Sequence, residues 1–274
     1  MRIRIDHATT YTYAAPARFI VQLLRLTPRS NEGQQVRAWG LETDVDARLR
    51  RAEDAFGNVV HALYTERPTG TLTVRVSGEV HTTDTAGMLK GVTERLSPLV
   101  FLRSTSRTAP EAALVDFAET ARGSGSRLDQ LHALMAALHG RMSFKVGATD
   151  AGHTAAEAFA LGSGVCQDYA QIFIACARRL GIPARYVSGH LLREDGQESQ
   201  EAAHAWAEAF VDGLGWVGFD SANGVCPGEA YVRVAAGLDS LGASPVRGTS
   251  YGGGAERLDV RLTVRVLAPP QQQQ

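Results

Sequence analysis

Gly162-Ser163-Gly164-Val165-Cys166-Gln167-Asp168-Tyr169-Ala170-Gln171-Ile172-Phe173-Ile174-Ala175-Cys176-Ala177-Arg178-Arg179-Leu180-Gly181-Ile182-Pro183 is the stretch that decides the reading of this chain. A small-residue loop runs into a cysteine and then into an apolar helix with a clear stop. Arg178 and Arg179 suit the negative helix end, Gly181 can take the left-handed position after it, and Pro183 forbids continuation. Cys166 therefore falls in the first turn, where free backbone N–H groups and the helix dipole favour an anion. A thiol so placed can titrate below its free value of roughly 8.5, and the thiolate is the reactive form. The glycines at 162 and 164 are expected to leave room for a substrate to approach the sulfur. Cys176, between Ala175 and Ala177 in the same helix, reads as a core residue. Asp168 would oppose a thiolate, but two residues along a helix turn the side chain by about 200°, so it is expected to diverge.

Partners for a nucleophile lie downstream. Residues 202–211, Ala-Ala-His-Ala-Trp-Ala-Glu-Ala-Phe-Val, alternate small and large with period two, which predicts a strand with His204, Trp206, Glu208 and Phe210 on one face. Asp212-Gly213-Leu214-Gly215 is a turn signal, and residues 216–220 read as the returning strand. A hairpin symmetric about Asp212 sets Asp220 directly opposite His204. There an aspartate can fix the imidazole tautomer and stabilise the imidazolium while the histidine activates the thiol. Taken singly, His204 reads as a core histidine and Asp220 as a cap for the following turn; the three together read as a Cys166, His204, Asp220 triad.

These residues carry a resemblance. Residues 164–170, residues 180–189, and His204-Ala205-Trp206 with Gly215-Trp216-Val217-Gly218-Phe219-Asp220 resemble the bacterial transglutaminase-like cysteine protease superfamily. Residues 6–13 and 24–29 are similar to the β-rich N-terminal region that precedes the core in one bacterial branch. The resemblance implies an α+β fold, a papain-like catalytic core behind an N-terminal β-sandwich, and a catalytic triad of Cys166, His204 and Asp220. It also favours hydrolysis over transfer to an amine. Two positions depart from the family pattern: residues 237–240 lack Gly-Arg-Asp-Tyr, and His190 stands where a tyrosine is common.

The rest of the chain fits around this core. The 274 residues suffice for two modest domains, and a hydrophobic share of 44% with 21% charged residues is that of an ordinary globular protein. A net charge of −1 gives no electrostatic case for nucleic acid or an acidic membrane surface. Three cysteines without a CxxC pair support neither a disulfide framework nor a zinc ribbon. The start lacks an apolar leader core, and no run approaches the ~18 apolar residues of a membrane span, so a cytoplasmic protein is expected.

Residues 1–85 alternate as strands, with a turn at Asp54-Ala55-Phe56-Gly57-Asn58, and predict a small sandwich. Its His7, His61 and His81 are expected on strand faces or at the surface. A domain junction is expected where residues 84–110 loosen in pattern, giving a β-rich domain over 1–100 and a catalytic core over 101–268. Helices are predicted over residues 111–122, after Ser126 with Asp129 as a capping box, and after Thr154 with Glu157 as another. Residues 248–254 read as flexible, residues 258–266 as a last strand, and 269–274 as a disordered tail.

The function expected is acyl transfer at an amide: attack by Cys166, proton exchange through His204, orientation by Asp220, with water or an amine as acceptor. The Cys166 N–H is the first oxyanion donor expected. Gly164, Gln167, Trp206, His153 and His190 are the further oxyanion or cleft candidates. The partner expected is a peptide or protein amide, with no cofactor, metal, nucleic acid or membrane; the oligomeric state is left open. A non-catalytic peptide-binding protein on the same scaffold is the reading from another class. Metal binding through Cys166, His204, Asp220 and Cys226 is a third.

Overall fold

A computed structural model describes residues 1–267; the tail expected over 269–274 lies outside the described residues. Alternation in the first strand, Arg2–Ala17, buries Ile3, Ile5, His7, Thr9, Tyr11 and Tyr13 on one face. This strand is the centre of a five-stranded sheet, in the order Ser199–Gln200, Glu256–Val266, Arg2–Ala17, Thr69–Thr82, Gln34–Thr43. A four-stranded sheet, in the order Val246–Tyr251, Phe19–Thr27, Val59–Thr65, Ala47–Glu53, lies against it. Tyr11, Tyr13, Leu24, Leu26, Leu63, Leu72 and Val74 fill the space between them. At its other end the same face of Arg2–Ala17 offers Ile3 and Ile5, which pack with Val80, Leu262, Val264 and Val232. One sheet face thus serves two partners, and Val232 belongs to the second of them, the catalytic sheet.

The catalytic sheet has the order Tyr231–Gly237, Ala184–Leu191, His204–Val211, Gly215–Phe219, Met88–Leu89. Helices α1 (Ala112–Ala121), α2 (Arg127–Arg141), α3 (Ala155–Leu161) and α4 (Cys166–Arg179) gather around its α4 side. Helix α4 is buried almost all round: every residue from 168 to 178 is buried, the polar Asp168, Gln171 and Arg178 included. It lies on the alanine face of the histidine strand: Ala205, Ala207 and Ala209 share a core with Ile172, Phe173 and Cys176. The small–large alternation read from the sequence is therefore a packing device. Alanines let the helix approach, and the large side chains go to the other face of the sheet.

Helix ends follow the sequence signals. Ser126 and Thr154 form reciprocal capping boxes with Asp129 and Glu157. The end of α4 is a Schellman turn: Gly181 has φ 73°, its N–H donates to the Arg178 carbonyl at 3.0 Å, and the Ile182 N–H donates to Ala177 at 2.9 Å. Arg178 does more than complement the helix dipole. It is buried and donates to the carbonyls of Phe101, Ala184 and Leu238, tying the helix end to three segments.

Several expectations are corrected. The span 101–268 is not one unit: Glu256–Val266 pairs with Arg2–Ala17, and Val246–Tyr251 pairs with Phe19–Thr27. Glu256–Val266 returns to the N-terminal sheets because Leu262 and Val264 complete the core begun by Ile3 and Ile5. At the other boundary, Met88–Leu89 already pairs with Trp216 and Val217 in the catalytic sheet. Residues 246–251 form a strand, where 248–254 read as flexible; Gly248 is needed because a Cβ there would lie 2.4 Å from the Val21 carbonyl oxygen. His7 keeps the strand-face place expected of it, and that face is buried against His190, with ring centroids 5.8 Å apart.

Candidate active site

Cys166 opens α4, and the turn that presents it is held from both sides. The strand Ser143–Phe144 pairs in parallel with Ser163–Gly164, and the Lys145 N–H donates to the Gly164 carbonyl at 2.8 Å. Asp168 folds back so that its Oδ2 accepts from the Val165 N–H at 2.8 Å and from the Thr149 hydroxyl at 2.6 Å. This carboxylate caps the helix start. The room expected for substrate at the two glycines is otherwise used. Gly162 ends α3 at φ 68°, and a Cβ on Gly164 would lie 2.4 Å from Asp168 Oδ2.

His204 is the first residue of its strand and projects past the hairpin ladder, which begins at Ala207. Its Nε2 lies 2.6 Å from Asp220 Oδ2, and the Cys166 side chain is near enough to the ring to favour its protonated form. With Nε2 committed to the carboxylate, Nδ1 is the nitrogen left for the sulfur. The expected register is corrected. The ladder runs from Ala207 opposite Phe219 to Val211 opposite Gly215, around a three-residue loop centred on Gly213 rather than Asp212. Asp220 is not directly across from His204. The shift is two residues, which keeps both side chains on the same face, and diagonal neighbours stay within reach of long side chains. Asp220 also leaves the ladder to bridge Val225.

Asp220 makes both sets of contacts, the turn cap on Oδ1 and the histidine on Oδ2. Oδ1 accepts from the N–H groups of Ala222 at 3.0 Å and Asn223 at 3.2 Å, capping the next turn. Oδ2 accepts from His204, from the Asn223 amide at 2.7 Å and from the Tyr231 hydroxyl at 2.8 Å. Burial opposes charge on Asp220, but these donors outweigh it and hold the carboxyl below its ordinary range. Burial likewise opposes the His204 cation. The hydrogen bond to Asp220 and the interaction with Cys166 prevail, and the imidazole is raised to about 10.

Of the other candidates, Trp206 stands beside His204 with ring centroids 6.2 Å apart, and Gln167 follows the cysteine in the first turn, half-buried. His153 is held within its own loop, where its Nδ1 accepts from the Asp150 N–H at 3.1 Å. His190 leaves the cleft for the domain interface, where it packs on His7 and Trp39, and burial pushes it down to about 3. The four-ligand metal reading finds no support: among the described residues, no group of three or more His, Cys, Asp or Glu is placed to hold a metal ion. Sequence reasoning missed Asn223 and Tyr231. Asn223 was recoverable from the Asp220-Ser221-Ala222-Asn223-Gly224 turn signal, whereas nothing in sequence ties Tyr231 to Asp220.

Comparison with known proteins bears on the family and the fold. A family model for the bacterial transglutaminase-like N-terminal region matches residues 3–81, and one for the transglutaminase-like superfamily matches residues 116–221. An uncharacterized protein of Mycobacterium leprae is 31% identical over 279 residues, spanning 97% of this chain and 99% of its own. The chain belongs to the transglutaminase-like superfamily. An uncharacterized protein of Mycobacterium bovis is 26% identical to this superfamily member, over 91% of this chain and 88% of its own. Among solved structures, a Cytophaga hutchinsonii protein proposed to be a cysteine protease has the same fold, with a TM-score of 0.79. It is 20% identical, over 98% of this chain and 91% of its own.

The transglutaminase-like core carries a buried ionic cluster on the large-residue face of the histidine strand. Glu208 accepts from Arg185 Nε at 2.6 Å and Arg233 Nε at 2.7 Å, and Arg185 also reaches Glu94 at 2.9 Å. The Arg185 guanidinium lies 3.9 Å from the Trp216 ring centre. Burial opposes the Glu208 charge, but the two arginines win and hold it down at about 2.

Proposed function

We propose that this chain is a cysteine-dependent acyl-transfer enzyme acting on peptide or protein amides, with water as the acceptor. The observation that supports this reading is the His204–Asp220 pair at 2.6 Å, with Cys166 at the start of α4 favouring the protonated imidazole. A cysteine paired with an imidazole that favours its protonated form can react as a thiolate–imidazolium pair.

In the first half-reaction the sulfur attacks the amide carbonyl carbon. Backbone N–H groups at the helix start, that of Cys166 first, face the developing oxyanion. As the tetrahedral adduct collapses, the C–N bond breaks and His204 gives its proton to the departing amine, leaving a thioester. In the second, His204 takes a proton from water as that water attacks the thioester, and collapse returns the thiolate and the imidazolium with a carboxylic acid released. Asp220 keeps one tautomer and one ring orientation throughout, without itself taking the proton.

The deciding experiment is a mass-spectrometric screen of peptide libraries with wild type and Cys166→Ala, each with and without a primary amine. Cleavage or deamidation by wild type alone, unchanged by the amine, supports hydrolysis. Amine-dependent adducts in its place would make the chain a transglutaminase. Peptide retention without any turnover would make it a binding protein.

A further inference from the structure

The strand Tyr231–Gly237 is the edge of the catalytic sheet, with a neighbour on one side only. An edge normally leaves a row of unpaired N–H and C=O groups. Here the N-terminal sandwich covers that row with two side-chain amides. Gln34 accepts from the Arg233 N–H and donates to the Arg233 carbonyl, both at 2.8 Å. Asn58 makes the same pair of bonds with Ala236, both at 2.7 Å. Each amide thus stands in for one residue of a missing neighbouring strand. Residues 233 and 236 have opposite parity, yet both turn their backbone outward, because the ladder with Ala184–Leu191 is irregular between Ser188 and Gly189. A third clamp lies just before the strand, where the Thr82 hydroxyl donates to the Glu229 carbonyl at 2.5 Å.

Both amides are fixed in turn. Gln34 is buried, and its Nε2 also donates to the Arg29 carbonyl at 2.8 Å. Asn58 is buried and held by Asp54, which accepts from its N–H and from its Nδ2, each at 3.0 Å. Tyr231, the first residue of the clamped strand, delivers its hydroxyl to Asp220 Oδ2 at 2.8 Å, on the same oxygen that binds His204. Its ring is packed edge-on against Trp206, centroids 5.4 Å apart, and lies 5.9 Å from the His204 ring.

We propose that the N-terminal sandwich is part of the framework of the active site: through Gln34 and Asn58 it fixes the edge strand that carries Tyr231, and Tyr231 is a positioning residue that holds Asp220 against His204. This rests on the triad reading above. The hydroxyl shares Oδ2 with the imidazole and draws charge from it. Removing the hydroxyl leaves more charge for His204, which then keeps its proton to higher pH and gives it less readily to a leaving amine.

The test needs no substrate. His204 is followed by its imidazole nitrogen signals in full-length protein across pH, and Cys166 by its rate of alkylation with iodoacetamide, with thermal unfolding recorded alongside. Tyr231→Phe should move the His204 titration up by about half a unit to one unit, the size of one net hydrogen bond. Gln34→Met should move it in the same direction, and in the Tyr231→Phe background it should add little, because both act through one hydroxyl. Asn58→Leu repeats the cycle at the second anchor, should Gln34→Met fail to fold. An unchanged His204 titration in a folded Tyr231→Phe protein would overturn the proposal. So would a Gln34→Met shift that persists in full without the hydroxyl. If wild-type Cys166 is alkylated no faster than the other thiols, the triad reading itself fails, which is a separate result.

Discussion

Gly164 and Asp168 form a lock at the start of α4: the carboxylate that caps the helix occupies the space a side chain on Gly164 would need, with Oδ2 2.4 Å from the position of a Cβ. The same Oδ2 accepts from the Val165 N–H and the Thr149 hydroxyl. Gly164→Ala must therefore push the cap out of place, two residues before the nucleophile. Overpacking of this kind costs about 1–3 kcal/mol. The expected outcome is a lower melting temperature together with slower alkylation of Cys166. A variant with wild-type values for both would show that the lock has no role.

The three thiols differ sharply in setting. Burial pushes Cys176 up to about 12, and burial also raises Cys226, whereas Cys166 is part-exposed at a helix start and interacts with the His204 imidazole. Limiting iodoacetamide followed by peptide mapping should label Cys166 first. Equal labelling of all three would remove the basis for an activated nucleophile.

Asp220→Asn should keep the fold, because an amide can still accept through one oxygen, yet turnover should fall. Changing a serine-protease triad aspartate to asparagine costs about 10⁴, which sets the upper bound expected here. Asp212→Ala, in the exposed hairpin loop, is the control and should leave turnover unchanged. Circular dichroism checks folding, and kinetics on the first substrate found checks the rest.

Acid should loosen the contact between the sandwich and the catalytic sheet. Burial lowers His7 to about 4 and His190 to about 3. A depressed histidine contributes stability that is complete above its unfolded value of about 6.5 and is lost as pH falls through the folded value. The loss should accordingly run from about pH 6.5 down to about pH 3. His190→Phe, which keeps an aromatic ring there, should shift the midpoint of acid unfolding to lower pH. A midpoint that stays in place would mean that other groups govern the transition.

Glu208→Leu should be among the most damaging single changes away from the triad. It leaves Arg185, whose side chain is 2% exposed, with Glu94 as its remaining carboxylate, and Arg233 without its Glu208 partner. Breaking a buried pair from one side typically costs about 3–5 kcal/mol. Urea unfolding measures it, and a cost under about 1 kcal/mol would show that solvent reaches the cluster.

What could be read from sequence was local. The Cys166 helix, its stop at Gly181, both capping boxes and the small–large alternation of residues 202–211 are patterns within a few residues, where side-chain chemistry and the helix or strand period act directly. Those patterns also brought Cys166, His204 and Asp220 together, and the two-residue error in register was harmless because it preserved the face. Tertiary structure alone decided the rest. The last strand, Glu256–Val266, joins Arg2–Ala17 because Leu262 and Val264 complete a core that the first strand leaves open. His190 leaves the cleft because its strand faces the sandwich there. Gln34 and Asn58 reach the edge strand of a sheet whose sequence lies almost two hundred residues away. No sequence period reports such contacts: they are set by which faces remain apolar, and which backbone groups remain unpaired, once each local element has formed.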